Sequence, residues 1–223
     1  MKKILFISLV LFISCAFAPQ KKAKVIFFGD SITELGVKPG GYVTKVDSMS
    51  KAEGKKDDYD FSGAGVSGNK VYDLYLRLEE DVLNKNPDVV VIYVGVNDVW
   101  HKTLLGTGTD ADKFEKFYLA ILKKLKDKNI KAILVTPAVV GEKKDFSNTL
   151  DGDLNKYCNI IRDIAKKNNL PLVDLRQQFL DYYKNNNPNN EEKNILTYDK
   201  VHLNAKGNQL VADAMWKAVK GLN

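Results

Sequence analysis

The sequence predicts an α/β fold, a three-layer α/β/α sandwich around a parallel sheet of about five strands. Three observations lead there. Strand-like and helix-like segments alternate along most of the chain, which implies parallel strands joined by crossover helices. The run Val89-Val90-Val91-Ile92-Tyr93-Val94 is apolar without a break and rich in β-branched residues, the pattern of a central strand buried on both faces. Ser31, Gly68, Asn97 and Pro137 each follow a predicted strand. They therefore gather beyond the carboxyl ends of the strands, where open parallel sheets hold their functional residues.

In chain order, Val25-Ile26-Phe27-Phe28 reads as the first strand. Residues 42–52 read as a helix with Val43, Val46 and Met49 on one face. Residues 59–61 form a short second strand. Val71, Leu74, Leu78 and Val82 recur at helical spacing, and Pro87 closes that helix. Residues 89–94 are the third strand. Phe114, Phe117, Ile121 and Leu125 mark another helix, and residues 132–135 are the fourth strand, ended by Pro137. Residues 154–165 are helical, with Leu154, Cys158, Ile161 and Ala165 along one side. Residues 172–175 are the fifth strand, and the stretch 203–219 contains a last helix. The sheet expected is flavodoxin-like. The patch Lys184-Asn185-Asn186-Asn187-Pro188-Asn189-Asn190 reads as an exposed loop.

The chain of 223 residues suits one domain, taken as residues 24–223. Residues 1–18 read as a secretory signal peptide: Lys2 and Lys3 precede an apolar run at 4–13, and small residues follow. Two cleavages compete. One falls before Cys15, which would then carry a lipid anchor; the other falls near Ala16 to Ala18. On either, Cys158 is left as a lone thiol, read as a small buried apolar residue. The net charge is +6, and removal of Lys2 and Lys3 leaves it near +4. The remaining basic residues are scattered among acids, without the clustered stripe that a nucleic-acid surface needs. No Cys/His cluster suits zinc, and Gly36, Gly40 and Gly41 form no dinucleotide fingerprint, so no metal or cofactor is expected.

Ser31, in Gly29-Asp30-Ser31 just past the first strand, is placed to open a helix with its hydroxyl exposed. A serine hydroxyl needs a base to become a nucleophile. The chain has two histidines. His202 has Asp199 three residues before it, close enough in a turn to orient the ring and stabilise the imidazolium formed during attack. His101 is the rival base, with only Asp98 nearby, and is better read as pocket lining or a surface residue. Asp30 is read as organising the turn around Ser31, and Asp98 as organising a neighbouring loop.

Gly29-Asp30-Ser31, Gly65-Val66-Ser67-Gly68-Asn69, Gly95-Val96-Asn97-Asp98 and Asp199-Lys200-Val201-His202 occur in that order. Together they resemble the four sequence blocks of the SGNH (GDSL-like) hydrolases. The resemblance implies a serine esterase with Ser31, Asp199 and His202 as catalytic residues. It implies an oxyanion hole made by the backbone N–H groups of Ser31 and Gly68 and the side-chain amide of Asn97. Gly63 departs from the family, which often has asparagine five residues before the oxyanion glycine. The expected activity is hydrolysis of a carboxylic ester through an acyl-enzyme. Short acyl (acetyl) groups on carbohydrate or related substrates are favoured, since no apolar lid helix is apparent. Asp30, Trp100 and His101 are candidate substrate contacts, and Trp100, His101, Tyr72 and Tyr75 a candidate aromatic rim. The alternatives are a lysophospholipase or thioesterase, acetyl transfer to a sugar, and a catalytically silent envelope binding protein. The expected location is the periplasm or outer envelope.

Overall fold

The computed structural model describes residues 21–222. The signal segment and Cys15 lie outside the described residues. Strands β1 (Ala23–Gly29), β2 (Tyr59–Gly65), β3 (Val89–Tyr93), β4 (Lys131–Val135) and β5 (Leu172–Val173) pair in the order β2-β1-β3-β4-β5. Every pairing is parallel. This is the flavodoxin-like order, with its topological switch between β1 and β3.

Period-2 alternation sorts the strand residues onto two faces. Phe27, Val89, Val91, Tyr93, Ile133 and Val135 join one core cluster, against α2 (Tyr42–Ala52), α7 (Leu175–Asn186) and α8 (Ala205–Lys220). Phe28, Val90, Ile92 and Leu134 join the other, against α3 (Val71–Asp81), α5 (Ala111–Asp127) and α6 (Asp151–Asn168). All five residues of β3 are buried, as its unbroken apolar run requires. Cys158 lies in the second core without a disulfide partner, and burial pushes its thiol up to about 12, so it remains an inert thiol.

The structure departs from the sequence reading at six places. Strand β2 runs on to Gly65 rather than ending at residue 61. Leu83–Lys85 form a 3-10 turn ended by left-handed Asn86, so α3 has already closed at Asp81, before Pro87. Strand β5 has two residues rather than four, because Asp174 caps α7 by accepting the Gln177 amide. Helix α7 itself was not anticipated. Its last turn takes in Lys184, Asn185 and Asn186, and Asn187 behind them is fully buried, donating to the carbonyls of Glu142 and Glu191. Helix α4 (Val96–Leu104) was also missed; its start coincides with the Gly95-Val96-Asn97-Asp98 block. Tyr72 and Tyr75 turn toward α5, where their rings lie 6.3 and 5.6 Å from that of Phe117. They belong to the α3–α5 interface and not to an aromatic rim.

Candidate active site

The end of β1 carries Ser31 as the first residue of α1 (Ser31–Gly36). Asp30 caps that helix by accepting the Ile32 amide at 3.0 Å. Gly29 has no room for a side chain: a Cβ would stand 2.3 Å from the Tyr93 carbonyl of the neighbouring strand. Ser31 is 8% exposed, and its Oγ lies 2.8 Å from His202 Nε2. The His202 Nδ1–H donates to Asp199 Oδ2 at 2.6 Å. With Nδ1 protonated, the neutral ring presents an unprotonated Nε2 to the serine hydroxyl. The other Asp199 oxygen accepts the amides of Val201 (3.1 Å) and His202 (2.7 Å), closing the turn between acid and imidazole. Burial alone would raise the Asp199 pKa. The His202 ring and these two amides outweigh burial and hold it below the ordinary carboxylate range.

Gly68 has φ +78°, a conformation favoured by glycine, and the place of its missing Cβ is bounded only by His101 Cε1 at 3.7 Å. Asn97, 2% exposed, donates one amide hydrogen to the Asn69 carbonyl at 3.0 Å. Its amide group carries a second hydrogen. The carboxyl oxygens of Asp98 both lie within reach of the Val71 amide (3.1 and 3.3 Å), joining α4 to the start of α3. Asp98 is therefore engaged away from His101. The His101 Nδ1 is buried and has no hydrogen-bond partner, so nothing orients that ring as a base. Trp100 stands beside it, ring centroids 5.7 Å apart.

Asp30 lies under the serine rather than at the mouth, 1% exposed. Burial, with some help from Asp98, pushes its pKa up to about 7 against the Ile32 amide and Arg77. Burial likewise pushes Asp98 up to about 6. An acid raised on folding contributes stability that is complete below its unfolded pKa of roughly 4 and is lost as pH rises through the folded value. Asp30→Asn keeps an oxygen for the Ile32 amide and removes the titration. Its Tm relative to wild type should therefore rise between pH 4 and pH 7 and level off above, by the equivalent of a few kcal/mol. A difference in Tm that stays flat with pH would show that Asp30 does not titrate in this range.

Three side chains that the sequence reading did not assign to the site hold it together. Arg77 donates to the Gly29 carbonyl (2.7 Å), the Ala64 carbonyl (3.1 Å) and Asn69 Oδ1 (2.6 Å), tying the ends of β1 and β2 to the loop after β2. This fastening operates with glycine at position 63. Glu34 accepts the Ser67 amide and hydroxyl, both at 2.6 Å, and these two bonds hold its pKa down. Tyr198 stacks on His202, ring centroids 5.8 Å apart and planes 18° from parallel, while half of it faces solvent. The sequence signal for Arg77 and Glu34 was weak, since each reads as one more charge on an amphipathic helix. Among the described residues, no three His, Cys, Asp or Glu side chains converge as a metal site.

Fold and site together are those of a serine ester hydrolase of the SGNH class. The chain belongs to the GDSL-like lipase/acylhydrolase family, whose model matches residues 27–210. The crystal structure of an acetyl xylan esterase, AlAXEase, is similar with a TM-score of 0.87 and 62% sequence identity, over 88% of this chain and 99% of that one. An acetylxylan esterase of Geobacillus stearothermophilus is 29% identical over 213 residues, covering 88% of this chain and 93% of that protein. The uncharacterized lipoprotein YqeF of Bacillus subtilis is 26% identical over 201 residues, 81% of this chain and 82% of that protein.

Proposed function

We propose that this protein removes acetyl groups from the hydroxyls of a xylan-type glycan, with Ser31 as nucleophile, His202 as general base and Asp199 as its orienting acid. The observation that carries the reading is the unbroken line from Ser31 Oγ through His202 to Asp199. The similarity to acetyl xylan esterases supports the choice of ester. Ser31 Oγ attacks the acetyl carbonyl while its proton passes to His202 Nε2. The negative charge developing on the carbonyl oxygen is met by the Ser31 and Gly68 amides and the Asn97 side chain. The imidazolium then protonates the departing sugar oxygen. Water, deprotonated by the same imidazole, cleaves the acetyl-enzyme to acetate and free Ser31.

The test compares kcat/KM for acetylated xylooligosaccharides with that for acetyl, butyryl and octanoyl esters of one alcohol. Acetyl esters should lead, and Asn97→Ala should be slower by roughly 10²–10³ in kcat, the effect of removing one oxyanion donor. A preference that climbs steadily with chain length would favour a lysophospholipase or thioesterase instead. An Asn97→Ala enzyme as fast as wild type would remove Asn97 from the oxyanion hole.

The same reading includes export, with residues 1–18 as the leader and Cys15 as a lipid attachment point if cleavage precedes it. The basic start, the apolar run and the lipoprotein relative support it. Among the described residues no helix is long and apolar enough to cross a membrane.

A further inference from the structure

Asp199 and His202 sit at the turn of an irregular segment, residues 195–204, that contains no helix or strand of its own. It doubles back on itself. Thr197 and Leu203 form an isolated antiparallel bridge, the Tyr198 amide donates to the His202 carbonyl (2.9 Å), and the Asn204 amide donates to the Leu196 carbonyl (2.9 Å). Lys200, at its tip, has φ +85°, in the left-handed region that strains a non-glycine residue. Such a tip keeps its shape only if something outside it fixes it.

That outside support is the loop after β4. The Gly141 amide donates to the Lys200 carbonyl at 2.9 Å. The next residue, Glu142, is fully buried. Its Oε1 accepts the amides of Leu196 (2.7 Å) and Thr197 (2.6 Å) and the hydroxyl of Tyr183 (3.1 Å). Its Oε2 accepts the Ile195 amide at 2.7 Å. All four of these partners of its carboxyl group are donors, the arrangement that only an acceptor can serve. No Lys, Arg or His forms an ion pair with it among the described residues. Burial, and then Glu142 itself, push the Tyr183 phenol far above its ordinary range, which keeps the phenol a donor. A buried carboxylate without a cation is expensive to retain for stability alone. Three consecutive backbone amides pinned to it give the segment one position.

We propose that Glu142 is the positioning residue of this active site: its buried carboxylate, holding the amides of Ile195, Leu196 and Thr197, sets the place of the Asp199–His202 turn and so the reach of His202 to Ser31. The inference rests on the reading of His202 as general base. Glu142 touches neither substrate nor reacting atoms, and acts on the rate through the imidazole. In Glu142→Gln, whichever way the amide faces, an N–H donor is set against a backbone N–H donor, and the segment must shift.

The experiment is a double-mutant cycle of Glu142→Gln with His202→Ala, measured well below the Tm on enzyme whose folded fraction is known. In the wild-type background Glu142→Gln should lower kcat roughly 10- to 100-fold, the scale of an ångström-level misplacement, with KM within about twofold. In the His202→Ala background it should lower the residual rate by less than about twofold, because the group it positions is gone. A purely structural role would reduce both backgrounds alike, and that result overturns the proposal, as does a Glu142→Gln enzyme with wild-type kcat. Should Glu142→Gln not fold, Tyr183→Phe removes one donor with little change in shape. It should lower kcat a few-fold in the wild-type background and leave His202→Ala unchanged; no effect on kcat overturns the proposal. A His202→Ala enzyme that retains wild-type activity would instead overturn the assignment of the base.

Discussion

Ser31→Ala is expected to lower kcat for acetyl ester hydrolysis by about 10⁴-fold or more while leaving the fold intact, the scale seen when a nucleophile is removed from a cooperating unit. The fold should survive because α1 is capped by Asp30 and not by Ser31. His202→Ala should fall nearly as far, and the double variant little further, because a nucleophile without its base and a base without its nucleophile are equally idle. His101→Ala should retain most of the activity. Its ring is buried beside Gly68 with an unpartnered Nδ1, and burial followed by nearby Lys70 depresses its pKa. Steady-state kinetics on the three variants, with circular dichroism as the control for folding, decide the matter. An inactive His101→Ala beside an active His202→Ala would exchange the two histidines in the mechanism.

Arg176→Ala should be the most damaging single change to stability among the polar residues, at about 3–5 kcal/mol, the range for breaking a buried ion pair from one side. The Arg176 side chain, 1% exposed, donates to Asp151 (2.7 Å), Asn155 (2.8 Å) and the Ala138 carbonyl (3.3 Å). Asp151, also buried, accepts the side-chain amide of Asn148 at 3.0 Å as well. Asn148 in turn bonds the backbone of Lys143 in both directions. Removing the guanidinium leaves the buried Asp151 carboxyl without its cationic partner and releases the loop after β4. For a chain of this length the Tm should fall by roughly 10 °C. Arg176→Met combined with Asp151→Leu should recover much of the loss, because neither charge is then stranded. Thermal unfolding of the two single variants and the pair measures this. A single Arg176→Ala variant within about 1 kcal/mol of wild type would mean that the pair is not buried in solution as it is in the structure.

The parts of this protein that the sequence alone determined are those with a local signature. The β-branched run at 89–94 could only be a strand buried on both faces, and it is the middle strand of the sheet. The apolar spacing of Val71, Leu74 and Leu78, or of Leu154, Cys158 and Ile161, repeats within a helical turn and fixes both the helix and its buried face. That Ser31, Gly68 and Asn97 lie at one edge of the sheet was legible because each follows a strand, and parallel strands all end at one edge. Helix α7 was missed because Asp174, which ends β5 and caps α7, sits in an apolar stretch that reads as continuous strand. Only the tertiary structure decided which groups meet across the chain. Ser31 and His202 are 171 residues apart, and Glu142 reaches Thr197 over 55. Arg77 reads in the sequence as one charge among several, and its bond to the Gly29 carbonyl crosses 48 residues. Propensity and periodicity act over a turn or two of chain, whereas a buried polar group is satisfied by whatever the completed fold brings within about 3 Å of it. A glutamate that pins three amides and a glutamate that faces water are therefore the same letter until the chain has closed around one of them.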